Sequence, residues 1–348
     1  MTLSCAEGET GRVYRGRLEF EEEEIALAEL PQTKTKIMLN IASPDAAFRW
    51  WRLPADGIGL ARMEFIINNL VKIHPMALVE CEELEDSAIR QKIRKITQHY
   101  PSPTDYFVDN LAMEIAQIAA SRYPDPVIVR TSDFKSNEYA QLIGGELYEP
   151  GEENPMIGFR GASRYYSPAY RAGFELECRA IKQAREQIGM NNIIVMIPFC
   201  RTLEEADRVL EVMADNGLER GKDELQIYVM AEIPSNIILA REFARRFDGF
   251  SIGSNDLTQL VLGIDRDSEQ LSELFDERNP AVTGMIEQLI KVAHEEGRKV
   301  GICGQGPSDH PDFAEFLVEA GIDSISLTPD RVIQTRNRIA ALESRLGD

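Results

Sequence analysis

The polar side chains best placed for chemistry stand at the ends of short apolar runs. Arg62 follows GIGLA, Arg130 lies in VIVRTSD, Glu232 ends VMAEIPSN, Asn255 and Asp256 end SIGSNDLTQ, and Cys303 ends VGICGQG. Glu232 and Asp256 follow neighbouring runs. Two carboxylates so placed suit a hard cation such as Mg²⁺, which takes one or two carboxylates plus substrate oxygens. The competing reading pairs Glu232 with an arginine and makes Asp256 the cap of a helix opening at LTQL. For Asp256 alone the two readings weigh equally; the pair at matching positions favours metal. Arg62 and Arg130 are anion-binding candidates, joined by Arg160 and Arg164 of GFRGASRY, because guanidinium groups grip phosphate or carboxylate bidentately. A structural ion pair is the alternative for each. Arg130 sits in an otherwise apolar run, where a charge is costly without a partner or ligand. Cys303, between glycines, has a thiol that can exchange a proton with a substrate carbon, its pKa of about 8.5 being open to tuning. Cys178 and Cys200 carry no assigned role, and His310 is left open between a cap neighbour and a supporting group.

The elements that must position these residues repeat. Eight apolar runs are KIMLNI (36–41), GIGLA (57–61), VIVRT (127–131), IIVMIPF (193–199), QIYVMAEI (226–233), GFSIGSN (249–255), KVGICG (299–304) and SISLTP (324–329). Continuous hydrophobic runs suit parallel strands buried on both faces. Helical segments separate many of them: LEEADRVLEVMADNG, with Thr202 as N-cap and Gly217 as stop, then IILAREFARRFDG and AVTGMIEQLIKVAHEEG. This alternation predicts a (β/α)8 TIM barrel, an α/β fold, with an open doubly wound sheet as runner-up. Two insertions interrupt it: residues 62–126, mostly helical, and residues 133–175, rich in Gly, Asn, Pro and Tyr. Loops after barrel strands lie at the catalytic face, and long aperiodic loops are usually functional. Residues 1–33 differ; GRVYRGRLEF alternates like a strand and runs into an acidic block at 21–24.

Composition excludes several classes. The 348 residues carry 38 basic and 58 acidic side chains, a net charge of −20. So acidic a chain is a poor partner for nucleic-acid phosphates or an anionic membrane. No apolar run approaches the roughly 20 residues of a membrane span, and the N-terminus reads as no signal peptide. The five cysteines, including Cys5 and Cys81, are widely spaced without a CxxC pair, and the four histidines lack metal-ligand spacing. A disulfide framework and a structural zinc site are therefore not expected, and a reducing, cytoplasmic setting is. There is no Walker loop and no GxGxxG after a strand, so no nucleotide site of those kinds is supported.

The stretches GIGLARMEFIINN, VIVRTSDFKSNEYAQLIGGE, EENPMIGFRGASRYYS, IVMIPFCRTLEEA, AEIPSN, DGFSIGSNDLTQLVLGIDRDS, LFDERNPAV and GICGQGPSDHPDF resemble a known family. They look like the C-terminal domain of the phosphoenolpyruvate-utilising enzymes, which include the phosphoenolpyruvate synthases (pyruvate, water dikinases), pyruvate phosphate dikinase and enzyme I of the sugar phosphotransferase system. FKSNEYA and GQGPSD point to the synthase branch. The resemblance spans roughly residues 34–345 and implies a pyruvate/phosphoenolpyruvate-binding barrel over residues 34–348. It implies substrate binding by Arg62 and Arg130, Mg²⁺ held by Glu232 and Asp256, substrate contacts from Gly253, Ser254 and Asn255, and Cys303 as proton donor. The family enzymes also carry an ATP-binding domain and a swivelling domain with a phosphorylated histidine. SCAEGETGRVYRG resembles the tail of that swivelling domain, which assigns residues 1–33 to it. No Gly-Gly-x-x-Ser/Thr-His motif is present, so the phosphohistidine and ATP-binding domains are implied as partners, together with a homodimer. Two further functional classes are expected to compete: a Mg²⁺-dependent pyruvate-enolate lyase or aldolase, and a non-catalytic dimerisation or docking module.

Overall fold

A computed structural model describes residues 1–4, 11–19, 27 and 30–347. All eight apolar runs become strands: β3 (Lys36–Ile41), β4 (Ile58–Arg62), β5 (Val127–Arg130), β6 (Ile193–Ile197), β7 (Ile227–Ala231), β8 (Gly249–Ile252), β9 (Lys299–Ile302) and β10 (Ser324–Leu327). Each pairs in parallel with the next, and β10 closes onto β3. The closed barrel replaces the open-sheet alternative. Alternation along each strand sorts the apolar side chains. Ile37, Val129, Val195, Val229 and Ile252 face outward into the main core beneath the helices. Leu60, Ile128, Met196, Tyr228, Met230 and Cys303 form a second cluster inside the barrel. Sheet sterics thus separate two cores, as a filled barrel requires.

The helices follow their sequence signals, with one change. The helix Leu203–Asp215 starts at Thr202, whose hydroxyl accepts the Glu205 amide at 3.2 Å, and stops before Gly217 at φ +85°. The segment IILAREFARRFDG, expected as one helical stretch, is divided into Pro234–Ile238 and Ala240–Arg246, because Leu239 at φ −105°, ψ 27° leaves the helical region. The first insertion supplies the helices Ser87–Thr97 and Pro103–Ala120; the second forms short turns over the barrel mouth before the helix Arg171–Lys182.

Six strands end earlier than the apolar runs suggest. Phe199 adopts φ +48° two residues past β6, and Ser254 opens the helix Ser254–Leu262 just past β8. Glu232 and Cys303 each stand one residue past their strands. At the N-terminus β1 (Thr2–Ser4) pairs antiparallel with β2 (Arg12–Tyr14), so the strand expected in residues 11–20 is shorter than its pattern. Cys5 and the acidic block at 21–24 lie outside the described residues. No described helix is long and apolar enough to cross a membrane.

Candidate active site

Register brings the strand-end residues together. Arg62 and Arg130 are direct partners across β4 and β5, so two guanidinium groups enter the barrel mouth side by side. Ala231 pairs with Ile252 and Ile252 with Ile302, which sets Glu232, Gly253 and Cys303 at one level on three adjacent strands. They line a pocket of about 290 Å³ together with Glu64, Asp133, Arg160, Asn255, Asp256 and Arg266.

The two arginines differ in how they are held. Arg130 meets Glu64 at 2.8 Å and Asp133 at 3.3 Å, which fixes its orientation. Arg62 makes no ion pair with any described residue and lies 6.0 Å from the Phe65 ring. Burial and the neighbouring Arg130 charge lower its pKa. A half-buried guanidinium beside another cation, with no ion-pair partner among the described residues, is a place for a ligand anion.

Opposite them, oxygens of Asp133, Glu232 and Asp256 lie within 4.8 Å of one another, all buried. The two carboxylates expected there are joined by a third that the sequence reading missed, although Asp133 closely follows Arg130. Glu232 accepts the Phe199 amide at 2.7 Å and forms no ion pair with a described arginine. The left-handed φ of Phe199 turns that N–H onto it. Burial, then Asp256 and Asp133, push the Glu232 pKa well up, against Arg160 and Arg130. Burial works to raise Asp133 as well, but Arg160 and Arg130 hold it below the ordinary carboxylate value. Asp256 does not cap its helix: it bonds Arg160 at 3.0 Å and Arg266 at 3.5 Å. A cluster of three buried oxygen donors, one of them destabilised as an anion by the others, fits a hard divalent cation. Gly253 keeps the site open, since a Cβ there would lie 2.9 Å from the Glu232 Cβ.

Cys303 stands at the floor with its Sγ 3.5 Å from the Ile252 carbonyl. Burial lifts its pKa to about 11, against the Ser251 hydroxyl and Arg130. The thiol is therefore neutral at pH 7. Asn255 lines the mouth, and its side-chain oxygen accepts the Gln305 amide at 3.3 Å. Cys178 and Cys200 are buried away from the pocket.

Three expected contacts are placed differently. Arg160 reaches the pocket, but its guanidinium is committed to Asp133 at 2.6 Å and to Asp256, over the Phe199 ring. Arg164 is not brought there. It is fully buried, paired with Glu149 and sandwiched between the Tyr139 and Phe159 rings at 4.3 and 4.4 Å, which is the structural ion pair weighed as its alternative. Ser254 lies behind the lining, against Gly304.

Behind the site, Glu177 of the helix Arg171–Lys182 accepts the Ser132 amide at 3.0 Å and the Tyr170 hydroxyl at 3.3 Å. It pins the turn that carries Arg130 and Asp133 into the pocket. Burial raises its pKa to about 7. No local sequence signal marks it, because FELECRAIK reads as an ordinary amphipathic helix.

A family model described as "PEP-utilising enzyme, PEP-binding domain" matches residues 19–344. Across its whole length the chain is 57% identical to a phosphoenolpyruvate synthase of Synechocystis and 53% identical to one of Aquifex aeolicus, covering 42% and 46% of those proteins. It is 52% identical to that of Escherichia coli over 99% of its length, covering 43% of the relative. The chain thus spans somewhat less than half the length of the curated relatives it matches. With the parallel barrel and the residues at its mouth, these matches show that the chain belongs to the PEP-utilising enzyme family and carries its PEP-binding domain.

Proposed function

We propose that this barrel binds pyruvate and phosphoenolpyruvate and is the half-site at which a phosphoenolpyruvate synthase moves a phosphoryl group from a phosphohistidine to pyruvate enolate. The observation that carries the reading is the unpaired Arg62 beside Arg130, facing three carboxylates across a floor made by a neutral thiol. The names of the relatives favour phosphoryl transfer over a lyase reaction or a docking role. In the whole enzyme the net reaction would convert ATP, pyruvate and water into AMP, phosphoenolpyruvate and phosphate. The ATP-binding and phosphohistidine domains would lie elsewhere in the longer protein, residues 1–33 forming the tail of the swivelling one. A homodimer and a cytoplasmic setting belong to the same proposal.

Glu232 and Asp256, with Asp133 beside them, would hold Mg²⁺, which when bound supplies Lewis-acid stabilisation of the enolate charge. Cys303 handles the proton at the methyl carbon. Toward pyruvate, its neutral thiol delivers a proton to the enolate carbon. Toward phosphoenolpyruvate, the thiolate removes one methyl proton, the enolate oxygen forms a bond to phosphorus, and the phosphorus–nitrogen bond of the donor breaks. Arg62 and Arg130 neutralise the transferring group, so that catalysis is mainly positioning and electrostatics. Glu177 and Glu64 hold the Arg130–Asp133 turn rigid while this happens.

Calorimetric titration of phosphoenolpyruvate into the chain tests the reading. Binding that requires Mg²⁺ and falls about tenfold or more in Arg62→Ala is expected, since a charge-assisted contact to the ligand is lost. Phosphoenolpyruvate that fails to bind, or binds Arg62→Ala equally well, contradicts it.

A further inference from the structure

The stretch FKSNEYA contributes Phe134, Lys135 and Glu138 to the lining of the mouth, and the mechanism uses none of them. The positive charges around that mouth are unevenly spent. Arg130 donates to Glu64 at 2.8 Å, Arg160 to Asp133 at 2.6 Å and Arg266 to Asp256 at 3.5 Å. Arg62 and Lys135 are the lining cations whose charged groups make no hydrogen bond to a described residue. The Lys135 ammonium has Glu138 at 3.6 Å, beyond hydrogen-bond reach, and the Glu138 side chain is 41% exposed. An ion pair with a solvent-exposed partner is weak, so the ammonium is drawn off at little cost. Its backbone, by contrast, is held on both sides. Glu177 binds the Ser132 amide at 3.0 Å, and Phe134 packs edge-on against Tyr139 with ring centroids 4.7 Å apart. The Lys135 amide donates to Glu138 at 2.8 Å, and the Ser136 hydroxyl donates to Glu152. A fixed root carries a flexible four-carbon arm with three N–H donors.

The chemistry of the two ligands says what such an arm is for. Pyruvate and phosphoenolpyruvate share a carboxylate, and the phosphoryl group adds about −1.5 to −2 charge near neutral pH with three strong acceptor oxygens. The aspartate oxygens at the mouth already meet guanidinium groups. Arg160 reaches Asp133 Oδ1 and Oδ2 at 3.0 and 2.6 Å and Asp256 Oδ2 at 3.0 Å, while Arg266 meets Asp256 Oδ1. Those guanidinium groups balance carboxylates of the protein, which leaves Arg62 and Lys135 for the added charge. Arg62 alone would leave part of a dianion unbalanced in a largely enclosed site, which is costly. We propose that Lys135 is a further phosphoryl contact, acting beside Arg62 and Arg130, and the side chain that distinguishes phosphoenolpyruvate from pyruvate. The inference rests on the reading of this barrel as a phosphoenolpyruvate site.

Phosphoenolpyruvate and pyruvate, titrated separately into the intact chain with Mg²⁺, test it, the first by calorimetry and the second by ¹H NMR. Lys135→Met keeps most of the arm and removes its charge. It is expected to weaken phosphoenolpyruvate binding about tenfold and to leave pyruvate affinity within about twofold, since one charge-assisted contact to the phosphoryl group is lost. Lys135→Arg is expected to restore most of the difference. If Lys135→Met does not fold, Lys135→Gln carries the same comparison. Equal weakening of both ligands, or phosphoenolpyruvate affinity that loss of the charge leaves unchanged, overturns the proposal. Where wild-type binding still depends on Mg²⁺ and Arg62, that failure belongs to Lys135 alone. A wild-type chain that binds no phosphoenolpyruvate overturns the reading of the barrel as well.

Discussion

Two arginines, alike in sequence, have opposite roles in the structure. Arg62 faces the pocket without an ion-pair partner, whereas Arg164 is fully buried on Glu149. Arg62→Ala is expected to leave stability within about 0.5 kcal/mol, because no paired charge is abandoned. Arg164→Ala strands the Glu149 carboxylate and is expected to cost about 3 kcal/mol in denaturant unfolding while leaving phosphoenolpyruvate affinity unchanged. Equal losses of stability would remove the distinction. Glu177 adds a pH dependence. Its carboxyl is raised to about 7 in the fold, chiefly by burial. The native state therefore binds the proton more tightly than the unfolded chain, and stability falls as pH rises from about 4.3 through 7, by an amount on the order of 3 kcal/mol. Glu177→Gln, which keeps an acceptor for the Ser132 amide, should flatten that part of the unfolding profile. An unchanged slope would show that Glu177 does not titrate there.

At the scale of elements, the barrel was legible because each strand falls within a short, largely apolar run, and these runs follow one another in the order the sequence indicates. The polar residues at the ends of those runs were legible for the same reason: strand ends converge whatever their separation in sequence. Asp133 and Glu64 were not, since turn residues beside a strand end look like ordinary loop polarity until register puts them in one mouth. Arg164 was over-read because spacing in GFRGASRY does not reveal that its guanidinium turns back onto Glu149. The helix boundary at β8 also escaped, GSN being as compatible with a loop as with a first helical turn. Gly253 illustrates what such junctions do: only a hydrogen there leaves Glu232 its position. Gly253→Ala should weaken Mn²⁺ binding, read by electron paramagnetic resonance, on the order of tenfold, as displaced support of a metal ligand generally does. Retained affinity would mean that Glu232 is not a ligand.

At the scale of the whole molecule, one sheet carries two faces of work. Its outer residues hold the helices, and its inner residues are stacked from an open cavity at the strand starts, through an apolar plug, to a charged mouth. The plug matters to chemistry, since it keeps Cys303 dry and its thiol protonated near neutrality. The central claim is that this mouth enolises pyruvate using residues of this chain alone, before any phosphoryl donor is supplied. Exchange of deuterium from solvent into the pyruvate methyl group, followed by ¹H NMR with Mg²⁺ present, tests it most directly. Exchange should appear in the wild type, quicken as pH rises toward the Cys303 pKa of about 11, and disappear in Cys303→Ala while pyruvate still binds. Exchange that persists at the wild-type rate in Cys303→Ala, or pyruvate that binds the wild type and never exchanges, would contradict the account.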